Sequence, residues 1–163
     1  MINILLEGYE INVPWLYDDL KKYILPGYSV AVMAFSFRDS EVITGGRPDR
    51  MMDRIKEFDL VDILRKHNRI VMGYSAGAVI QLSEYHLSPD KDYKEFQYYD
   101  GLGYLDDFYL EVHYEKRKVQ NKAIHRVLSE RGKTVYATAF MAGGVIVDNG
   151  NVKLLGDVKT FNK

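Results

Sequence analysis

Residues 69–80, which read RIVMGYSAGAVI, decide the fold. An apolar run ends in a Gly-Tyr-Ser-Ala-Gly turn, and a second apolar run follows at once. Gly73–Gly77 match the pattern G-x-S-x-G, in which a serine lies on a sharp turn between a strand and a helix. Its hydroxyl and the next backbone N–H then lie near a helix N-terminus, which favours negative charge. The pattern predicts that Ser75 is a nucleophile; the alternative is a strand–turn–helix with a small residue for packing.

Composition and charge narrow the class of protein. The chain has 163 residues, so we expect a single domain over 1–163 with a sizeable core. A formal net charge of −1 indicates no nucleic-acid or membrane surface, and no apolar run approaches the roughly 20 residues that span a bilayer. The chain has no cysteine, which excludes disulfides, a thiolate nucleophile and cysteine-bound metal. Since its start lacks the basic region of a signal peptide, we expect a cytoplasmic protein.

Strand and helix patterns alternate along the chain. Apolar runs predict strands at residues 2–6, 29–37, 41–44, 69–72, 108–113, 135–139, 144–148 and 152–155. Helical spacing predicts helices that begin at Pro14 and helices over 49–67, 76–82 and 115–131, the last ended by Gly132. Residues 84–100 are expected to be rich in loops, and Asp148–Asn151 to form a hairpin turn. This order predicts an α/β domain with a mainly parallel sheet and an antiparallel tail.

A serine nucleophile needs a general base, and the chain has four histidines. We expect His67 and His125 at the surface, and His86 falls in the segment predicted to be rich in loops. His113 closes the strand predicted at 108–113, and ligands bind at the carboxyl ends of strands in open α/β sheets. Position therefore favours His113 as the base; the alternative is a packed, hydrogen-bonded histidine.

Three motifs occur in a specific order: Ile43–Gly46 (ITGG), Gly73–Ala78 (GYSAGA), and Gly101–Leu105 (GLGYL) leading to Val112–Tyr114 (VHY). Together they resemble the peptidase E family of aspartyl dipeptidases and their cyanophycinase relatives. The resemblance runs from about residue 41 to the end, and 2–37 fit the family's opening β-α-β unit. It implies a flavodoxin-like, class I glutamine-amidotransferase-like three-layer sandwich. It also implies a serine peptidase that cleaves short peptides and uses no metal or other cofactor.

The resemblance implies a catalytic triad. Ser75 would be the nucleophile and His113 the general base. The family's acid follows the serine by about fifteen residues, in the chain order Ser–acid–His. Asp90 occupies that position, while Asp92 and Glu84 are rivals for the role.

The resemblance also implies a substrate pocket beside the nucleophile. The backbone N–H groups of Gly46 and Ala76 would form the oxyanion hole, where glycine permits a close approach of substrate. We expect Gly45, Arg47 and Tyr74 to contact the substrate. The partner would be a short peptide, bound by a monomer or a homodimer.

The sequence departs from the family pattern in three places. Arg47-Pro48 stands where family members usually have Asn-Thr, which puts an aspartate preference in question, and Val112 stands where a proline is common. Phe37 is separated from Glu41 by three residues, whereas a parallel crossover needs about a dozen or more. Either residues 29–37 and 41–44 therefore form one long bent segment, and the chain lacks one internal βα unit of the family, or the sequence omits residues between them.

Three functions stay open at this stage. The first is a serine peptidase of the peptidase E type, and the second is an esterase of the α/β-hydrolase type. The third is a catalytically degenerate scaffold of the same fold that binds a ligand or a partner. The shortened connection favours the scaffold, whereas the presence of both Ser75 and His113 favours an enzyme.

Overall fold

The structure is a computed structural model that describes residues 1–7, 18–29 and 46–163. The strands there are β1 (Ile2–Leu6), β2 (Ile70–Tyr74), β3 (Glu84–Leu87), β4 (Gln97–Asp100), β5 (Phe108–Tyr114), β6 (Thr134–Asp148) and β7 (Asn151–Phe161). The helices are α1 (Pro48–Glu57), α2 (Val61–Lys66), α3 (Ala76–Val79) and α4 (Lys118–Arg131). No helix within these described ranges is long and apolar enough to cross a membrane.

Several sequence predictions fall outside the described residues. They are the strand predicted at 29–37 apart from Ser29, the strand at 41–44, and the short connection between them. The first residues of the helix predicted from Pro14 are also outside, although residues 18–20 are helical. The missing βα unit therefore stays a prediction.

Strand β6 organises the main sheet because three other strands pair along it. β5 pairs in parallel with its first half, and β1 pairs antiparallel with its second half. β7 runs antiparallel along both halves, and β2 lies parallel to β1 on the far side. The carboxyl ends of β1 and β5 therefore both point toward the middle of β6. β2 ends beside β1, with Leu6 opposite Tyr74.

Helices cover both faces of this sheet. On one face, α1 and α3 pack with β3 against the sheet in a cluster that includes Ile55, Ala78 and Leu110. On the other face, α4 packs through Ile124 and Val127, together with residues of β5 and β6. Successive residues of one strand pack on opposite faces of the sheet, as expected from the pleat of a strand. The structure thus confirms a mixed α/β domain and is consistent with three layers.

The predicted hairpin at the C-terminal end is present. Asp148 pairs with Asn151, so the turn consists of Asn149 and Gly150, both with positive φ (48° and 86°). Positive φ at both turn residues is the geometry that favours Asn-Gly between twisted strands. Gly132 also ends α4 as predicted, in a left-handed conformation with φ 68°.

Several predicted elements were wrong in extent. The single helix predicted over 49–67 is two helices, because the backbone turns at Asp59 with φ 54°. The strands predicted at 135–139 and 144–148 are one strand, β6, whose pairing with β7 shifts between Thr138 and Gly143. The helix after the serine turn ends at Val79 rather than at Leu82.

The segment predicted to be rich in loops contains a hairpin. β3 and β4 pair antiparallel, with Glu84 opposite Asp100. Tyr85 and His86 of β3 are almost fully buried. The polar and aromatic composition of this segment therefore includes tyrosines that pack against the core, and not only exposed polar side chains.

The packing of α4 yields a test of stability. Ile124 is fully buried in the cluster beneath α4, whereas its neighbour His125 is exposed. We expect Ile124→Ala to lower the free energy of unfolding by about 2–5 kcal/mol, because it leaves a cavity in the core. His125→Ala should change it by no more than about 0.5 kcal/mol. Urea unfolding of both variants measures the difference, and equal effects would show that α4 does not pack as described.

Candidate active site

The turn between β2 and α3 presents Ser75 in a strained backbone conformation. Its φ is 46° and its ψ is −108°, in the region that L-residues rarely adopt, and the residue is 8% exposed. A Cβ atom at Gly73 would overlap the backbone carbonyl of Gly77, so only glycine fits there. A Cβ at Gly77 would meet nothing within 4 Å. The close approach of strand and helix therefore depends on the first glycine of the motif and not on the second.

The side chain of Ser75 contacts His113. The distance from Ser75 Oγ to His113 Nε2 is 2.7 Å, which is a hydrogen bond. His113 lies where the register between β5 and β6 shifts, between Glu111 and Tyr114, and its φ is 56°. A bulge of this kind re-aims a side chain out of the regular alternation of a strand. At this bulge the imidazole of His113 contacts the hydroxyl of Ser75, which lies in the turn between β2 and α3.

The far nitrogen of the same imidazole contacts a carboxylate from β1. His113 Nδ1 pairs with Oε1 of Glu7, which directly follows β1 and is fully buried. The register that sets Leu6 opposite Tyr74 makes Glu7 and Ser75 neighbours across two parallel strands. The structure thus brings a serine, a histidine and a glutamate together in a chain of contacts.

Sequence reasoning missed Glu7, although the sequence carried a signal for it. Glu7 is the first polar side chain after the buried run 4–6, at the carboxyl end of a strand. His113 was selected because ligands bind at the carboxyl ends of strands, and the same argument applies to Glu7. The spacing of the resembling family pointed instead to a carboxylate after the serine.

The carboxylates predicted for the acid role have other contacts. Asp90 is exposed, and its Oδ1 accepts hydrogen bonds from the backbone N–H groups of Asp92 (2.7 Å) and Tyr93 (2.8 Å). This is an Asx-type turn, in which the side chain supports its own loop. Asp92 is exposed as well. The structure shows neither carboxylate in contact with His113.

Glu84 is held by a cation on α4. Arg131 Nε and Nη2 lie 2.7 Å and 3.1 Å from its two carboxylate oxygens, and Tyr109 also donates to it. The hydrogen bond from Arg131 lowers the pKa of the Glu84 carboxyl, more than burial raises it. Glu84 thus forms an ion pair that links β3 to α4.

Arg47, which directly precedes α1, is paired with a carboxylate in the first turn of that helix. Its guanidinium donates to both oxygens of Asp49 (3.2 Å and 2.6 Å) and lies 5.0 Å from the centre of the Tyr93 ring. Burial raises the pKa of Asp49, but hydrogen bonds from Arg47 and Tyr93 outweigh it, so the pKa falls below its usual value. Asp49 therefore already pairs with the charge of Arg47, which the sequence analysis expected to contact the substrate.

The other predicted pocket residues have varied positions. Gly46 is exposed just before α1, and Ala76 is the buried first residue of α3. The hydroxyl of Tyr74 lies 4.0 Å from the sulfur of Met72. Gly45 lies outside the described residues. The roles of these four residues in an oxyanion hole or a substrate pocket stay predictions.

A second histidine–glutamate pair lies in the core. His86 Nε2 is 2.7 Å from Glu111 Oε2, and Ser88 Oγ donates to the same oxygen at 2.8 Å. The hydroxyl bonds the carboxylate rather than the imidazole, so this cluster does not have the order of a nucleophile and its base. Within the ranges that the structure describes, no group of three or more histidine, aspartate or glutamate side chains could hold a metal ion.

The fold and the contact of Ser75 with His113 have the arrangement of a serine hydrolase. Residues 36–153, more than half of the chain, match the model of peptidase family S51. The chain therefore belongs to this family, which is the peptidase E family that its motifs resemble. Membership implies a hydrolase that cleaves peptide bonds. A search of curated proteins found no significant match.

The two glycines of the serine turn make a matched pair for a stability test. We expect Gly73→Ala to lower the free energy of unfolding by at least about 1–3 kcal/mol, because its methyl group overlaps backbone that cannot move aside. Gly77→Ala should be neutral or stabilising by up to about 1 kcal/mol, because alanine favours the helix. Thermal unfolding of the two variants compares them. A Gly73→Ala protein as stable as Gly77→Ala would contradict the described turn.

Proposed function

We propose that this chain is a serine peptidase that hydrolyses short peptides through Ser75, His113 and Glu7. The observation that carries the proposal is the chain of contacts from Ser75 Oγ to His113 Nε2 (2.7 Å) and from His113 Nδ1 to Glu7. Membership in a peptidase family supports the reaction class. The helices on both faces of the sheet support the finer fold, a three-layer sandwich of the flavodoxin-like type.

The first half of the reaction would acylate Ser75. His113 Nε2 accepts the hydroxyl proton as Oγ forms a bond to the carbonyl carbon of the scissile peptide. The carbonyl π electrons move to the oxygen, which becomes an oxyanion. When the intermediate collapses, the C–N bond breaks and the imidazolium gives its proton to the leaving amine. The products of this half are a free amine and an acyl ester on Ser75.

The second half would release the acid. Water replaces the amine, and His113 accepts one of its protons as the oxygen attacks the ester carbon. Collapse breaks the bond to Oγ, which takes the proton back from the imidazolium. Ser75 is regenerated and a carboxylic acid leaves.

Glu7 would fix the orientation and the tautomer of His113. With Nδ1–H donating to Glu7, Nε2 is left free to accept the proton from Ser75. The negative charge also stabilises the imidazolium that forms in both halves of the reaction. Because Glu7 is fully buried, water does not weaken this interaction.

The substrate pocket would combine backbone donors with an apolar surface. The N–H groups of Gly46 and Ala76 remain our candidates for the oxyanion hole. Phe140 is 56% exposed, and its ring centre lies 5.7 Å from that of His113. With Arg47 paired to Asp49, recognition would rest on the peptide backbone and apolar side chains more than on an acidic side chain.

Loss of the nucleophile gives the first test. We expect a fluorophosphonate probe to label the wild-type chain at Ser75 and to leave Ser75→Ala unlabelled. Hydrolysis of a dipeptide panel should fall by a factor of roughly 10⁶ in kcat in the same variant. Mass spectrometry of the labelled peptide identifies the site. If folded wild-type protein is not labelled, a non-catalytic scaffold replaces the proposal, and cleavage of esters without peptides would indicate an esterase.

The identity of the acid gives the second test. Glu7→Gln keeps the shape of the side chain but removes its charge, so we expect kcat to fall by about 10²–10⁴. Asp90→Asn is the same chemical change at the position that the family spacing favours, and it should leave kcat within about twofold. Steady-state kinetics on one peptide compares the two, with thermal unfolding as the control for folding. The reverse result would assign the acid role to Asp90.

A further inference from the structure

Gln120, in the first turn of α4, binds the backbone on both sides of a short loop. Its Nε2 donates to the backbone carbonyl of His113 at 2.8 Å. Its Oε1 accepts from the backbone N–H groups of Glu115 (3.0 Å) and Arg117 (3.4 Å). Gln120 is 5% exposed, so these bonds form largely away from water. One amide group thus spans the whole loop between β5 and α4.

The segment that Gln120 spans, from His113 at the end of β5 into the loop before α4, has an unfavourable backbone conformation. His113 and Lys116 both have positive φ, 56° and 61°, although neither is a glycine. Such conformations cost of order 1–3 kcal/mol each and persist only where the surroundings hold them. The carbonyl that Gln120 binds belongs to one of these residues, the histidine that contacts Ser75.

The presence of glutamine rather than glutamate at position 120 is informative. Gln120 is the third residue of α4, where either glutamate or glutamine can accept the N–H of the N-cap residue. Near a helix N-terminus the charge of glutamate is an advantage. Only the amide can also donate a hydrogen bond, and here the donor goes to the carbonyl of His113. Helix capping alone does not account for glutamine.

We propose that Gln120 is a positioning residue, which holds the backbone of His113 so that its imidazole meets Ser75. The effect on rate rests on the proposed function, whereas the effect on the imidazole does not. Misplacement of a reacting group by about 1 Å can cost about 10²-fold in rate. A single backbone hydrogen bond at the base therefore has a measurable effect on kcat.

Gln120→Glu tests the proposal because it separates capping from positioning. The carboxylate keeps the bonds from Glu115 and Arg117 but cannot donate to His113 at neutral pH. Asn121→Asp is the matched control on the same turn. It removes a donor to Lys116 (3.4 Å) and keeps the acceptor for Tyr114, without a contact to His113.

Three measurements are made on wild type and both variants: peptide kinetics, thermal unfolding, and the NMR signals of the His113 ring. For Gln120→Glu we expect kcat to fall at least about tenfold with KM nearly unchanged, the melting temperature to fall while the protein stays folded at the assay temperature, and the ring signals to shift. Asn121→Asp should leave kcat and the ring signals at their wild-type values.

Two results would overturn the positioning role. The first is a Gln120→Glu protein whose His113 ring signals and kcat equal those of wild type. The second is an Asn121→Asp protein whose ring signals and kcat change as much as those of Gln120→Glu. If wild type cleaves no peptide but the ring signals still shift in Gln120→Glu alone, the proposed function fails while the positioning of His113 holds. The NMR readout therefore keeps the two proposals separate.

Discussion

The candidate site depends on the length and pairing of β6. β5 and β1 pair with different halves of this one strand and run in opposite directions, so their carboxyl ends meet at its middle. The backbone N–H of Glu7 donates to the carbonyl of Gly143 there, at 3.2 Å. Two separate strands would leave the ends of β1 and β5 free to move apart. A continuous β6 fixes the distance between the carboxylate of Glu7 and the imidazole of His113.

The two residues that touch across the site both have a strained backbone conformation. Ser75 and His113 are both non-glycine residues with positive φ, at the ends of different strands. Each conformation costs free energy that regular structure around it must offset. The backbone N–H of Ser75 donates to the carbonyl of Leu6 (2.9 Å), and Gln120 binds the carbonyl of His113. The strained residues are therefore attached directly to the sheet and to α4.

Local sequence patterns predicted the elements that carry the site but not their long-range contacts. An apolar strand before Gly73 and a strand ending near residue 113 were enough to select Ser75 and His113. The continuity of β6 was hidden because the prediction stopped at residue 139 and resumed at 144, after Gly143, and a glycine in a strand indicates a break. With β6 divided, the ends of β1 and β5 were not expected to meet. Glu7, although it stands at the carboxyl end of a strand, was therefore passed over for the carboxylates that the family spacing favours.

The burial of Glu7 distinguishes it from the carboxylates near residue 90. A carboxylate removed from water loses several kcal/mol of hydration, and only a partner with good geometry offsets that loss. Asp90 is exposed to solvent and accepts hydrogen bonds from the backbone of its own turn. These bonds explain its position without a further function. Glu7 is fully buried and faces a histidine ring that is 42% exposed on its other side. A carboxylate buried at that cost, behind an imidazole that opens toward solvent and a serine, supports the proposed role of Glu7 in proton transfer.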